Sequence, residues 1–187
     1  LMKSKPMVPA RAAVAVGVVV LIYVGAENGM GGWVRVYAER TTGMPAASAA
    51  LLASAFWLAA TIGRMASVAI GLRVPPPSLM KASLSGALLG GLLLLGGHGS
   101  AGLTISAVLL IGFCFGPVFP TMMAIITTRF ARSPGQAASV VAALGSLGGM
   151  LLPPLQGVLL AQVSTQAAAG FTALLALLML GMFLLAD

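Results

Sequence analysis

The sequence predicts an all-α membrane protein of six transmembrane helices, and three observations carry that prediction. Hydrophobic residues form 59% of the 187-residue chain and charged residues only 7%, against the roughly 25% with which a soluble domain covers its surface. Mean hydropathy is +1.07, and the apolar residues gather into six stretches, each close to the roughly 20 residues a helix needs to cross a bilayer core about 30 Å thick. Runs such as Ala87-Leu-Leu-Gly-Gly-Leu-Leu-Leu-Leu95 do not alternate in polarity, as the strands of a transmembrane barrel would. Helices and closed barrels are the only structures that satisfy backbone polar groups in lipid, so helices remain.

The expected spans are 12–32, 46–72, 79–97, 102–128, 136–161 and 167–186. Several are long enough to predict tilt or kinks. Before the first stand Lys3, Lys5 and Arg11. The Met2-Lys3-Ser4-Lys5 start imitates a secretory signal peptide, but the apolar run after it exceeds the usual length of about 7–15 residues. Arg35, Glu39 and Arg40 are assigned to the first connection, and Gly43-Met44-Pro45 opens the second span. Pro75-Pro76-Pro77 is read as a stiff stop before the third span, since proline lacks an amide hydrogen and fixes φ. His98 sits among glycines in the third connection, Arg129 and Arg132 occupy the fourth, and Ser133-Pro134-Gly135 starts the fifth span.

Charge placement sets an expected orientation. Lys3, Lys5, Arg11, Arg73, Lys81, Arg129 and Arg132 fall on one side, Arg35 and Arg40 on the other. By the positive-inside rule both chain ends are expected in the cytoplasm. The net charge of +7 is therefore topological and implies no nucleic-acid partner. Cys114 is the single cysteine and lies in a span, which excludes disulfides and thiolate metal clusters. The chain begins at Leu1 and ends at Asp187 just after the sixth span, and the expectation is a fragment of a larger protein.

The breaks divide the chain into three spans plus three. Ala46-Ala-Ser48 opens the second span and Ala137-Ala-Ser139 the fifth, a weak echo of the inverted three-helix repeats of secondary transporters. Gly86 and Gly90, Gly112 and Gly116, and Gly145 and Gly149 are pairs four apart, a spacing that lets helix backbones approach in lipid.

Few residues carry chemistry. Glu27 lies about five residues past the midpoint of the expected first span, and a carboxylate at that depth is costly unless it faces water or a partner. It is read as a group that binds substrate, a proton or sodium, with a pin to a neighbouring helix as the structural alternative. Arg64 lies about five residues to the cytoplasmic side of the second span's midpoint. By helix rise the two are expected about 14 Å apart along the membrane normal, too far for a direct salt bridge. Arg64 is accordingly read as a latch near the cytoplasmic gate, pairing with a helix end or an acid outside this chain. Tyr23 shares a face with Glu27, and Asn28 and Trp33 stand beside it, an arrangement suited to a polyhydroxylated solute. Trp33 is equally an interfacial anchor, and Trp57 equally a lipid-facing packing residue.

Gly116-Pro117-Val-Phe-Pro120-Thr121 loosens the fourth span, and Gly148-Gly149-Met-Leu-Leu-Pro153-Pro154, with Gln156 beyond, does the same in the fifth. Discontinuous helices in two halves point to a binding site or gate, and a static kink is the alternative. Catalysis finds no support. There is no carboxylate pair, metal-ligand cluster or phosphate loop, no cofactor is expected, and Gly145-Ser146-Leu-Gly148 has no histidine within a span to activate its serine.

Taken together the segments resemble the carboxy-terminal half, helices seven to twelve, of a major facilitator superfamily transporter, in its sugar-porter branch. Tyr23-Val-Gly-Ala-Glu27-Asn-Gly-Met-Gly-Gly-Trp33 followed by Tyr37 looks like that branch's seventh helix, and Phe56-Trp57 with Gly63-Arg64 like its eighth. The Gly116–Thr121 passage, and Gly145-Ser-Leu-Gly-Gly149 with Pro153, look like its tenth and eleventh. One departure stands out: Gly71-Leu72-Arg73 runs into Val-Pro-Pro-Pro with no acid, where the family's cytoplasmic loop carries one. The resemblance implies half of a twelve-helix fold, two inverted three-helix repeats, and a lipid bilayer around them. It also implies a small-molecule solute, an amino-terminal six-helix half outside this chain, and alternating access about a central site. The expected function is secondary transport of a small polar solute, a sugar, as a proton- or sodium-coupled symporter or a uniporter. A non-transporting receptor or scaffold of the same fold and an oligomeric six-helix channel are the rival readings.

Overall fold

A computed structural model describes residues 10–129, 131 and 134–186. Its elements are α1 (Ala10–Thr42), α2 (Ala46–Gly71), α3 (Pro76–Gly96), α4 (Ala101–Phe115), α5 (Val118–Arg129), α6 (Pro134–Val158), a π-helical turn at Leu159–Val163, and α7 (Thr165–Ala186). With α4 and α5 forming one crossing, six helical segments among the described residues are long and apolar enough to span a membrane. Lys3, Lys5 and Arg132 lie outside the described residues.

Two boundaries differ from the sequence expectation. Arg35, Glu39 and Arg40 are not in a connection: α1 continues through them to Thr42. Their charges are accommodated on the helix, because Arg35 Nε pairs with Glu39 Oε1 one turn on at 2.9 Å and Arg40 Nη1 donates to the Leu160 carbonyl at 2.9 Å. The helix stops where Gly43 takes φ 67°, the left-handed cap that glycine adopts without a Cβ penalty, and Pro45 begins the next one. The proline run is likewise no separate stop. Pro75 caps α3 and Pro76 and Pro77 form its first turn, where the missing amide hydrogen would have had no helical partner.

The two proline-bearing spans behave differently. Pro117 follows the last turn of α4 and the crossing resumes as α5 at Val118, so the fourth span is discontinuous there. In the fifth span α6 passes through Pro153 and Pro154 to Val158 and then widens into the π turn. The expected break at Pro153 is therefore displaced onward, to Leu159. The Pro153 carbonyl accepts Trp33 Nε1 from α1 at 2.8 Å, which ties the loosened segment to its neighbour.

Packing follows a repeat. The most extensive contacts are α1 on α6, α3 on α7, α3 on α4, α2 on α4 and α1 on α7. Exchanging the first three spans with the last three maps that set onto itself, the pattern of two three-helix units; an odd number of crossings per unit inverts one relative to the other. Glycine makes the equivalent contacts possible. A Cβ at Gly63 would collide with the Phe113 carbonyl, and one at Gly148 with the Leu21 carbonyl. Ser48 stands 15 residues before the first of these glycines and Ser139 nine before the second, so the Ala-Ala-Ser echo does not mark equivalent points. Tyr23, Phe56, Phe115, Met80, Ile111 and Met122 fill the core, with Tyr23 and Phe115 edge to face at 5.7 Å.

Candidate functional site

The site grows from one irregularity in each of three helices. Glu27 is the carboxylate in the middle of α1, Arg64 the guanidinium of α2, and Gly116 the residue that caps the end of α4. Arg64 Nη2 donates to Glu27 Oε1 at 3.3 Å and Arg64 Nε to the Gly116 carbonyl at 3.4 Å. One cation thus ties α1 to α2 and caps the negative end of α4, where a helix dipole favours positive charge.

This pairing overturns the expected separation of about 14 Å. Counted from the shared turn, Glu27 is 15 residues from the end of α1 at Thr42 and Arg64 is 18 from the start of α2 at Ala46. The difference of three residues is about 4.5 Å of rise, within reach of two long side chains. The first helix runs past Gly32 to Thr42, and those ten residues bring the two side chains to similar depth. Arg64 therefore has its acid inside this chain.

The pair is asymmetric in exposure. The Glu27 side chain is 11% exposed and that of Arg64 50%, so the carboxylate lies beneath a cation that looks outward. Tyr23, one turn before Glu27, is 1% exposed. Its hydroxyl is fully buried near the pair and has no hydrogen-bond partner. It is a buried polar group beside the pair with capacity to spare.

The other expected site residues separate into two sets. Asn28 is exposed, its Nδ2 donating to the Val24 carbonyl at 2.8 Å, and it faces the space that Gly149 of α6 leaves open. Trp57 is 42% exposed, its indole lying against Gly31 of α1. These join Glu27 and Arg64 on one open face. Trp33 and Gln156 instead belong to an inner seam. Trp33 lies against Gly157 and bonds Pro153. Gln156 is buried, donating through Nε2 to Thr172 Oγ1 at 2.9 Å with its carbonyl oxygen against Gly29. With Met30, Tyr37 and Leu160 they enclose a cavity of about 10 Å³, room for about one water and far too small for a sugar.

Of the expected gating residues, Gly116 and Pro117 form the α4–α5 break, Gly149 and Pro153 lie against α1, and Pro120 lines a cleft of about 280 Å³ with Thr121, Ser67 and Leu79 between α2, α3 and α5. Two open-face residues were missed. Ser54 and Thr61 are exposed on α2, and the positions 54, 57, 61 and 64 follow the helical three-and-four spacing. Each donates to its own helix, Ser54 to Ala50 at 3.3 Å and Thr61 to Trp57 at 2.9 Å, leaving lone pairs outward. The spacing around Trp57 and Arg64 was the signal that could have found them.

Comparison with known proteins now decides the family. The sequence profile of the Major Facilitator Superfamily matches residues 10–187. The chain belongs to the major facilitator superfamily. It is therefore a member of a transporter family, with the six membrane-spanning helices of half a major facilitator fold. It is 28% identical over 141 residues to a putative glucose/galactose transporter of Helicobacter pylori strain J99, a match covering 74% of this chain and 33% of that protein. The counterpart in Helicobacter pylori strain 26695 is 27% identical over 140 residues. In fold it is similar to the crystal structure of FucP in the outward conformation, with a TM-score of 0.83 at 19% identity, covering 96% of this chain and 43% of that one. A variant of the E. coli fucose:proton symporter FucP gives 0.82, also at 19%. The chain thus spans about a third to somewhat under half the length of these relatives.

Proposed function

We propose that this chain is one six-helix half of a secondary transporter that moves a small polar solute, a sugar, by alternating access. The single observation that carries the reading is the Glu27–Arg64–Gly116 network. A charged pair at mid-helix is expensive in a membrane and is retained where it borders a pathway. Here it sits on the open side of α1 and α2, where a facing half would enclose it. Asn28, Ser54, Trp57 and Thr61 on that side supply hydrogen-bonding groups and an aromatic surface, the combination that sugars use. The names of the similar proteins, glucose/galactose transporter and fucose:proton symporter, support a hexose as cargo. In this reading Glu27 and Arg64 are solute- and ion-responsive, the α4–α5 break at Gly116-Pro117 flexes between states, and Trp33 and Gln156 hold α1, α6 and α7 together. The end of the bundle bearing Arg11, Arg73, Lys81 and Arg129 faces the cytoplasm by the positive-inside rule.

The test is uptake of labelled hexose into vesicles carrying the intact transporter, wild type against Glu27→Gln. The proposal expects saturable uptake, and a loss or altered pH or sodium dependence in the variant. Identical uptake and coupling would reduce Glu27 to packing. Hexose-induced stabilisation without flux would make the protein a receptor of the same fold, and single-channel currents would make it a channel.

A further inference from the structure

Arg64 occupies a position that is built like a cation site. Two oxygens accept hydrogen bonds from its guanidinium, and a third lies buried beside them. The Glu27 carboxylate and the Gly116 carbonyl each accept a hydrogen bond from it, at 3.3 and 3.4 Å. The Tyr23 hydroxyl, 1% exposed and without a hydrogen-bond partner, belongs to the turn of α1 just before that carboxylate. A carboxylate, a carbonyl and a hydroxyl are the ligands that hard cations take. Carbonyls at the C-terminal ends of broken membrane helices are a recurring source of sodium ligands in transporters, and Gly116 stands at such an end.

We propose that Arg64 is a tethered cation: its guanidinium permanently fills a sodium-type oxygen site formed by Glu27, Tyr23 and Gly116, so that this site binds no free sodium while Arg64 is present. The two hydrogen bonds are long for charge-assisted contacts, which run about 2.7–2.9 Å. The planar fork therefore spans a set of oxygens that a compact ion would draw together. Half of the Arg64 side chain is exposed, so the guanidinium can leave the oxygens without crossing protein. The proposal rests on the transporter reading for its meaning but not for its test, because it concerns which cation holds three oxygens. It narrows the coupling question. With sodium excluded at Glu27, any ion coupling through this carboxylate is by a proton that competes with the tethered charge.

The test compares unfolding midpoints of the intact transporter in sodium chloride and choline chloride at equal ionic strength, with no solute present. Wild type should be indifferent to the exchange. Arg64→Gln, which vacates the oxygens, should be destabilised in choline and should recover in sodium by a saturable upward shift of a few degrees, as expected of ligand binding to the folded state. The double variant Arg64→Gln, Glu27→Gln should show no such shift. Equal midpoints for Arg64→Gln in the two salts would overturn the proposal, because the oxygens would then not form a cation site. A saturable sodium stabilisation of wild type that Glu27→Gln abolishes would also overturn it, and this arm stands even if Arg64→Gln does not fold. A protein that transports no hexose yet gives the expected salt response would sink the transport reading alone.

Discussion

The exposure difference within the Glu27–Arg64 pair makes its two halves unequal under mutation. Arg64→Gln leaves a carboxylate that is 11% exposed without its counter-charge, and stripping one partner from a buried pair costs about 3–5 kcal/mol. The loss has a ceiling, because the carboxylate can be neutralised by a proton. From an unperturbed value near 4.3, at 1.36 kcal/mol per unit, that costs about 3.7 kcal/mol at pH 7. The expected destabilisation is therefore about 3 kcal/mol at pH 7. Where neutralisation sets the limit, it shrinks by about 1.4 kcal/mol for each unit the pH is lowered, since protonation becomes cheaper. Glu27→Gln leaves a half-exposed guanidinium that still caps α4 through Gly116, and should cost under about 1 kcal/mol, as for exposed pairs. The double variant should resemble Glu27→Gln, so that removing the acid rescues the loss of the base. Equilibrium unfolding in mixed micelles, read as a double-mutant cycle, measures all three. An Arg64→Gln loss no larger than that of Glu27→Gln, or a double variant as unstable as Arg64→Gln, would refute the reasoning.

Three further outcomes are expected. Gly148→Ala should destabilise by about 1–3 kcal/mol as an overpacked contact, because its Cβ would meet the Leu21 carbonyl; Gly135→Ala, where nothing lies within 4 Å, should be near neutral in the same unfolding assay. Trp33→Phe should lose about 1 kcal/mol, the net worth of its hydrogen bond to Pro153, and lower the thermal midpoint by about 2–4 °C while leaving hexose affinity unchanged. Cysteine at Arg73, beyond the end of α2, should react with an impermeant thiol reagent from the cytoplasmic side only; labelling from outside would reverse the orientation.

Much of this was legible in the sequence, and what was not has identifiable causes. The number of spans follows from apolar length alone, and Glu27 and Arg64 stand out because ionisable residues are rare there. Their pairing was hidden because a span was equated with an apolar stretch. Arg35, Glu39 and Arg40 are polar but compatible with a helix whose charges are paired or bonded to a carbonyl, and the ten extra residues of α1 shifted the register by the distance that had separated the pair. Proline plays two opposite parts here. At Pro75–Pro77 it starts a helix, and at Pro153 it is carried inside one, because local sequence does not reveal whether a neighbour such as Trp33 will bond the irregular segment. Gln156 illustrates the same limit. A polar side chain in an apolar span marks a partner, and only the fold shows that the partner is Thr172 rather than a solute.

The central claim is that the α1–α2 face around Glu27 and Arg64 borders a solute path rather than lipid. Cysteine placed at Asn28 or Thr61 in an active transporter tests it directly, with Leu177→Cys on α7 as an exposed apolar control. A small impermeant thiol reagent should modify Asn28→Cys and Thr61→Cys, hexose should protect both, and Leu177→Cys should stay inert. If both site cysteines resist labelling in every transport state while uptake persists, the path lies elsewhere and the account is wrong.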